Sequence, residues 1–188
     1  MEVPQRNVLI TGASGFIGQA LCAESSSESW AIRALVRTEE SREKLPQACQ
    51  DNAVIGDLSD SGSLLAACEG VDTILHLAGQ AHVKGAHDPA VVPTQIAAAE
   101  NLLSAALKQG VRRLVFVSSS LAAAAERKSG DVTSYGQGKL AAEAVFTAAC
   151  EEGGIEWATL RPVNVYGVGM TGNIAGMISM INSGRLPP

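Results

Sequence analysis

Short apolar runs alternate with helix-like segments along the whole chain. The apolar runs are continuous rather than broken at every second residue, which is typical of strands buried on both faces. The segments between them have helical character and are long enough to cross back over a sheet. Six strands are predicted, at 7–10, 31–36, 53–55, 73–78, 113–118 and 156–162. Helices are predicted at 16–24, 39–44, 63–68, 90–108 and 135–151.

Strands separated by helices indicate an α/β fold. Right-handed crossovers between consecutive parallel strands wind the sheet in both directions and place helices on both of its faces. We therefore predict a doubly wound parallel sheet. The chain has 188 residues, enough for one domain with a sizeable core, and its 46% hydrophobic and 18% charged residues suit a globular protein.

Composition excludes several classes of protein. The net charge of −5 argues against a general nucleic-acid binder. The longest apolar runs are far shorter than a membrane span, and the first ten residues lack the apolar stretch of a secretory signal. The cysteines are widely spaced and show no metal-ligand pattern, so we interpret them as reduced thiols, predict no metal site, and expect a cytoplasmic protein. They are Cys22, Cys49, Cys68 and Cys150.

A glycine-rich loop follows the first predicted strand, in the sequence "ITGASGFIG". Glycine permits a tight turn, lets backbone N–H groups approach a diphosphate and allows the helix to pack closely on the strand. The alternative is a glycine-rich turn without a ligand. A strand before the loop and a helix N-terminus after it favour a dinucleotide. The candidate cofactor-binding residues are Gly12, Ser14, Gly15, Phe16, Ile17 and Gly18.

Two later strand ends fit the same ligand. Asp57 follows the third strand, where its carboxylate could accept from an adenine amino group while Leu58 lies against the ring. An equally open alternative is that Asp57 or Asp60 caps the next helix. After the fourth strand, small residues let a ribose lie close to the backbone. The candidates there are Leu77, Ala78 and Gly79.

The end of the second strand bears on the choice between NAD and NADP. An acidic residue at this point usually binds the ribose 2′-hydroxyl of NAD, whereas an arginine suits the 2′-phosphate of NADP. The chain has Arg37 there, with Arg33 and Thr38 nearby. The pattern favours NADP, with a solvated strand-end arginine as the alternative.

The stretch "SYGQGK" places a tyrosine and a lysine one helical turn apart, at Tyr135 and Lys139. A tyrosine needs help to act as a base near neutral pH, and a neighbouring ammonium favours the phenolate. A serine from "VSSS" at the end of the fifth strand could share hydrogen bonding to a substrate oxygen. We hypothesise that Gly136 and Gly138 keep this face open for cofactor and substrate. The alternatives are a surface Tyr–Lys pair and a glycine that eases helix entry.

The motifs "TGASGFIG", "GDLSD", "HLAG", "FVSSS", "YGQGK" and "LRPVNVYG" occur in this order over essentially the whole chain. Together they resemble the extended short-chain dehydrogenase/reductase family, in its nucleotide-sugar epimerase/dehydratase branch. The resemblance implies a Rossmann-type fold. It also implies that Tyr135 is the acid/base, that Lys139 activates it and binds cofactor, and that Ser119, or failing that Ser120, is the third catalytic residue.

The same resemblance assigns roles to residues in and after "LRPVNVYG". Pro162 and Val163 would lie against the nicotinamide. Asn164 and Asn173 would bind the nucleotide-sugar. His82 lies in the loop after the fourth strand, which places it near the substrate or, as the favoured alternative, simply in solvent. Arg161 would be structural. By its apolar setting, His76 is interpreted as a core histidine.

The chain departs from the family pattern at several positions. Gly138 replaces a small hydroxyl residue, Gln95 replaces an asparagine, and "LAAAA" stands where a tyrosine–glycine pair is expected. The smaller substrate domain of the family would be largely absent. We divide the chain into a cofactor-binding and catalytic domain at 1–168 and the start of a substrate-binding region at 169–188.

The resemblance implies an NAD(P)-dependent enzyme that epimerises, dehydrates or reduces a nucleotide-activated sugar. The alternatives are an NADPH-dependent carbonyl reductase of small molecules and a non-catalytic dinucleotide-sensing protein. The helices at 90–108 and 135–151 are rich in alanine and leucine, and in this family the equivalent pair often forms a homodimer interface. The alternative is that both helices are simply buried on one face of the sheet.

Overall fold

A computed structural model describes residues 6–24, 30–79, 87–130, 132–170 and 173–185. Six strands and eight helices lie in these ranges. The strands are β1 (Arg6–Thr11), β2 (Trp30–Val36), β3 (Ala53–Ile55), β4 (Thr73–His76), β5 (Arg113–Val117) and β6 (Glu156–Leu160). The helices are α1 (Phe16–Glu24), α2 (Glu39–Glu43), α3 (Gln47–Gln50), α4 (Ser61–Cys68), α5 (Val91–Lys108), α6 (Ser120–Glu126), α7 (Ser134–Gly153) and α8 (Asn173–Asn182).

The six strands form one parallel sheet in the order β3-β2-β1-β4-β5-β6. The strand order reverses at β1, which pairs with β2 on one side and β4 on the other. This is the topology of a Rossmann-type, doubly wound sheet, and the prediction from the alternating pattern is confirmed. In such sheets, ligands bind where the order reverses, beyond the carboxyl ends of the strands.

Apolar residues of the central strands pack on both faces of the sheet. Leu9 belongs to a core formed with α4, α5 and α7, whereas its neighbours Val8 and Ile10 belong to a second core with α1 and α3. Because successive side chains of a strand point to opposite faces, this alternation requires both faces to be covered. It explains why the strands show continuous apolar runs.

Three helices, α3, α6 and α8, lie outside the five ranges in which a helix is predicted. The short α3 follows α2, and α6 is formed by the "SLAAAAE" segment after β5. Alanine favours helix at every position of such a run, and the Ser119 hydroxyl accepts from Leu121 N–H to cap it. Several strands are also shorter than predicted: β4, β5 and β6 end one or two residues early.

The β6 edge of the sheet is more exposed to solvent than the central strands. Among the residues that the structure describes, strand β6 pairs with β5 alone, and it exposes much of Trp157 and Leu160. Residues of α8 are exposed as well, including Met177 and Ile181. The four cysteines are buried and none forms a disulfide, which agrees with their interpretation as reduced thiols. None of the helices in the described ranges has the length and apolar character needed to cross a membrane.

Candidate functional site

A cavity of about 560 Å³ opens at the carboxyl ends of the central strands, where the strand order reverses. Volumes of this size are typical of small-molecule and cofactor sites. Nine of the residues assigned to a cofactor from sequence line it: Gly12, Ser14, Gly15, Arg37, Asp57, Leu58, Leu77, Ala78 and Gly79. Its lining among the described residues does not include Phe16, Ile17, Gly18, Tyr135, Lys139, Pro162 or Val163.

The glycine loop shapes one end of this cleft by close backbone approach. Gly12 has φ +73°, and a Cβ built there would lie 2.7 Å from the backbone nitrogen of Ala78. A Cβ on Gly18 would lie 2.4 Å from the carbonyl oxygen of Gly12. Gly12 therefore permits both the turn and the contact with the segment after β4, while Gly18 permits tight packing of α1. Both steric reasons predicted from the spacing are present.

Asp57 and Asp60 have different tasks in the loop after β3. The Asp60 carboxylate accepts from Gly62 N–H at 3.0 Å and caps α4. The Asp57 carboxylate accepts from the Ser59 N–H and hydroxyl at 2.8 and 2.6 Å, which holds its pKa below the usual value. Asp57 is therefore not the helix cap, and it lines the cleft as an anion.

The arginine assigned to NADP lines the cleft, but its two neighbours do not support that assignment. Arg33 donates to the carbonyl oxygens of Ala67 and Glu69, at 3.0 and 2.6 Å, and so fixes the end of α4. The Thr38 hydroxyl accepts from Ser41 N–H and caps α2. Of these three residues, Arg37 alone lines the cleft.

His76 is a core histidine, as predicted, and it also forms part of the cleft wall. It is stacked on Phe116 and lies beside Phe146, with ring centroids 5.4 and 5.2 Å away. The Thr11 hydroxyl lies 2.6 Å from its Nδ1 and accepts from Ala78 N–H at 3.4 Å. Burial, together with the Lys139 ammonium, lowers the pKa of His76 to about 3, so the ring is neutral.

Lys139 lies beside the other end of the cleft. Its side chain is buried, its Nζ donates to the carbonyl oxygen of Val117 at 3.0 Å, and it lies 4.7 Å from the centre of the Phe116 ring. A Cβ built on Gly79, a residue of the cleft lining, would be 3.0 Å from this Nζ. Burial lowers the pKa of Lys139 to about 8, although the Glu143 carboxylate opposes the shift.

Tyr135 is half-buried, and its ring centroid is 6.0 Å from Lys139 Nζ. Burial raises the pKa of Tyr135 above its ordinary value. The two groups are therefore neighbours, as predicted. This shift, caused by burial, is opposite to the one expected from a neighbouring ammonium.

The hypothesis that the two glycines of "YGQGK" keep a face open for ligand is wrong. A Cβ on Gly136 would lie 2.6 Å from the carbonyl oxygen of Leu121 in α6. A Cβ on Gly138 would lie 3.1 Å from the Gln95 side chain in α5. Both glycines are buried: Gly136 lets α7 approach the backbone of α6, and Gly138 leaves room for the Gln95 side chain of α5.

The three serines after β5 differ in their surroundings. Ser118 is buried, and its hydroxyl has no hydrogen-bond partner within the described ranges. Ser119, the first candidate from sequence, caps α6 with its hydroxyl, which remains able to donate. Ser120 is half-buried and starts α6, and its N–H donates to the carbonyl oxygen of Pro162 at 2.9 Å.

Arg161 is structural, as expected. Its guanidinium donates to Glu143 in α7 and to Glu126 in α6, with contacts from 2.5 to 3.2 Å. These carboxylates raise the pKa of Arg161. Next to it, Pro162 is half-buried and Val163 is 77% exposed.

The residues assigned to a substrate lie mostly outside the cleft or outside the described ranges. Asn164 is exposed in the segment after β6. Asn173 is the first residue of α8, and its side chain is not described; His82 lies outside the described residues.

Some site residues were missed because their role depends on distant contacts. Thr11 holds His76, and Asn101 Nδ2 donates to the carbonyl oxygen of Leu58 at 2.9 Å, which ties α5 to the Asp57 loop. A polar residue within an alanine-rich helix was the one signal available for Asn101. For Thr11 the sequence offered none.

The fold and the cleft define the class: a Rossmann-type α/β protein with a dinucleotide-sized site at the reversal of strand order. Residues 8–188 match the model of the NAD dependent epimerase/dehydratase family, and the chain belongs to that family.

Characterised relatives agree with this membership. UDP-glucose 4-epimerase of Vibrio cholerae is 24% identical, over 95% of this chain and 58% of its own length. The 2-alkyl-3-oxoalkanoate reductase of Stenotrophomonas maltophilia is 26% identical, over 95% of this chain and 57% of its own. The structure of Thermus thermophilus UDP-glucose 4-epimerase in complex with NAD superimposes with a TM-score of 0.76 at 26% identity, covering 93% of this chain and 60% of that one. The chain thus spans less than two thirds of the length of these relatives.

Proposed function

We propose that the chain is the cofactor-binding and catalytic part of an NAD(P)-dependent oxidoreductase acting on a nucleotide-activated sugar. The observation that carries the proposal is the position of Lys139, which lies beside both Tyr135 and the cleft residue Gly79. Burying a lysine ammonium costs free energy. Titratable groups with shifted pKa values at the mouth of a cleft are typical of active sites. The related UDP-glucose 4-epimerases support a nucleotide-sugar as the substrate class.

The residues of the cleft fit a nicotinamide dinucleotide. A Cβ at Gly12 would fill the loop where a diphosphate would approach, and Asp57 and Arg37 stand where an adenosine would lie. When bound, such a cofactor accepts a hydride from a sugar carbon or returns it. At neutral pH, Lys139 is mostly protonated, because its pKa is about 8. Tyr135 also holds its proton, because burial raises its pKa above the usual value.

In this scheme Tyr135 exchanges a proton with the substrate oxygen. For oxidation, Tyr135 first releases its own proton to solvent, which the Lys139 ammonium favours by stabilising the phenolate. The phenolate oxygen then takes the proton of the substrate hydroxyl as that hydroxyl is oxidised. In the opposite direction the tyrosine donates the proton to the carbonyl oxygen. A serine of the 118–120 segment, with Ser119 first and Ser120 second, would hold that oxygen in place.

Replacing Tyr135 with phenylalanine tests the proposal. We expect turnover of UDP-sugars to fall by about 10²–10⁴ while NAD affinity is unchanged, because only the phenol is lost. Tyr166→Phe is the matched control, since that tyrosine is 76% exposed. Equal turnover by wild type and Tyr135→Phe would refute the assignment. Cofactor binding without turnover of any substrate would instead favour a dinucleotide-sensing protein.

A second candidate is an NADPH-dependent carbonyl reductase of small molecules. Arg37 in the cleft suits a 2′-phosphate, and the related oxoalkanoate reductase supports a non-sugar substrate. Net consumption of NADPH with a ketone would identify this activity, because an epimerase returns its cofactor unchanged. Arg37→Ala should weaken NADP about tenfold more than NAD, which calorimetry measures, whereas Arg127→Ala on the exposed end of α6 should change neither.

We also propose a homodimer through α5 and α7. These helices pack against each other over the sheet, and their outer sides carry small exposed residues such as Ser104, Ala144 and Ala148, with Leu107 42% exposed. Small side chains permit close approach of a second helix pair. Sedimentation should show a dimer that Ala148→Glu converts to monomer; a wild-type monomer would rule it out.

A further inference from the structure

Gln95 carries a buried polar atom that the fold leaves without a partner. Within the described ranges, its Nε2 and the Ser118 hydroxyl are the buried side-chain nitrogen and oxygen atoms that make no hydrogen bond. Gln95 also lines the cleft. We propose that the Gln95 carboxamide is a ligand-binding group that donates to an oxygen in the nicotinamide half of a bound dinucleotide. This inference rests on the proposed cofactor.

The position of Gln95 along α5 selects that half of the ligand. Asn101 is tied to Leu58 and so marks the part of the cleft beside Asp57, where the adenosine is proposed. Gln95 comes six residues earlier, about 9 Å along the helix axis. Its side chain lies against Gly138, the residue before Lys139. The carboxamide is therefore at the lysine end of the cleft.

Gly138 makes room for this side chain. A Cβ at position 138 would lie 3.1 Å from both Cδ and Nε2 of Gln95 and 3.4 Å from Cγ1 of Val91. The first distance is tighter than ordinary van der Waals contact, so even an alanine would push the carboxamide away. Gln95 and Gly138 are thus a matched pair: the missing side chain on α7 fixes where the amide of α5 sits.

An unpaired buried donor destabilises the free protein, because it has lost its hydrogen bonds to water and gained none. A ligand oxygen at hydrogen-bond distance removes that penalty. Replacing the amide by an apolar group of similar length should therefore weaken ligand binding without destabilising the free chain. A glutamine that served packing alone would show the opposite: lower stability and unchanged affinity.

Gln95→Met separates these cases. We expect NAD affinity, measured by calorimetry, to fall about tenfold, ADP affinity to stay unchanged, and the Tm of the ligand-free variant to equal or exceed that of wild type. Gln109→Met is the matched control. Gln109 is on the same helix and its Nε2 donates to the carbonyl oxygen of Leu65 at 3.3 Å, so its loss should lower Tm and leave NAD affinity unchanged.

Gly138→Ala gives a second, independent test. It should weaken NAD binding when Gln95 is present and have little further effect in the Gln95→Met background, because the displaced amide is then absent. Unchanged NAD affinity in Gln95→Met, or an equal loss of ADP and NAD affinity, would overturn the inference. Additive effects of the two changes would overturn the pairing. If the wild-type chain binds no NAD, the proposed function fails first, and this outcome is distinct from the others.

Discussion

The two ends of the cleft are built in different ways. At the glycine-loop end, backbone meets backbone: Gly12 approaches Ala78 so closely that no side chain fits between them. At the lysine end, side chains decide: Lys139 Nζ donates to Val117 and lies over the ring of Phe116, both in β5, while the Glu143 carboxylate one turn along α7 favours the ammonium. The glycine-loop end depends on a backbone geometry that glycine alone can adopt without a clash. The lysine end depends on the charge and burial of Lys139, which set its pKa.

The strongest way to break the glycine-loop end is Gly12→Ala. The added Cβ meets Ala78 and the positive φ is strained, so we expect the free energy of unfolding to fall by about 3 kcal/mol and NAD binding to be lost. Gly110→Ala is the control, because Gly110 also has a positive φ but no atom within 4 Å of the built Cβ. It should cost only about 1 kcal/mol. Equal losses in urea unfolding would show that close approach contributes nothing.

The charge at the lysine end should make stability depend on pH. Burial lowers the pKa of Lys139 from 10.5 to about 8 in the folded chain, so the unfolded chain binds more protons between these values. Stability therefore rises with pH across this window. Compared with Lys139→Met, wild type should gain about 2 kcal/mol between pH 7 and 10 in urea unfolding. A difference that stays flat with pH would contradict the buried ammonium.

The smallest expected change in stability comes from replacing two helix glycines, Gly136 and Gly176, by alanine. At Gly136 the new methyl group of alanine would meet Leu121, so Gly136→Ala should destabilise by about 1–2 kcal/mol. At Gly176 in α8 no atom lies within 4 Å, so the same change should stabilise by about 0.8 kcal/mol through helix propensity. Thermal unfolding measures both. The same sign at both positions would mean that helix packing does not explain Gly136.

The glycine-loop end could be predicted from sequence because its requirement is local. The spacing of Gly12 and Gly18 between a strand and a helix defines both the turn and the close packing, and the bounds predicted for α1 and β3 are confirmed. The apolar setting of His76 was likewise enough to place it in the core.

The lysine end could not be predicted in the same way, because its contacts come from residues distant in sequence. Whether Gly138 faces a ligand or a helix depends on Gln95, which lies 43 residues earlier. The serines at 118–120 are identical in type, and only the exit of the chain from β5 distinguishes one that is buried from one that caps α6. The alanine-rich α6 has no apolar periodicity that would separate it from a loop.

The position of β1 at the reversal of strand order sets a sequence of events during synthesis on the ribosome. Thr11 pairs with Leu35 on one side and His76 on the other, so one wall of the cleft lies 65 residues downstream. At about 5–20 residues per second, His76 is added about 3 to 13 s after Thr11. All residues of the β3-β2-β1 portion are therefore synthesised before this wall of the cleft. The Asn101 bond that fastens the Asp57 loop becomes available about 1 to 5 s later still.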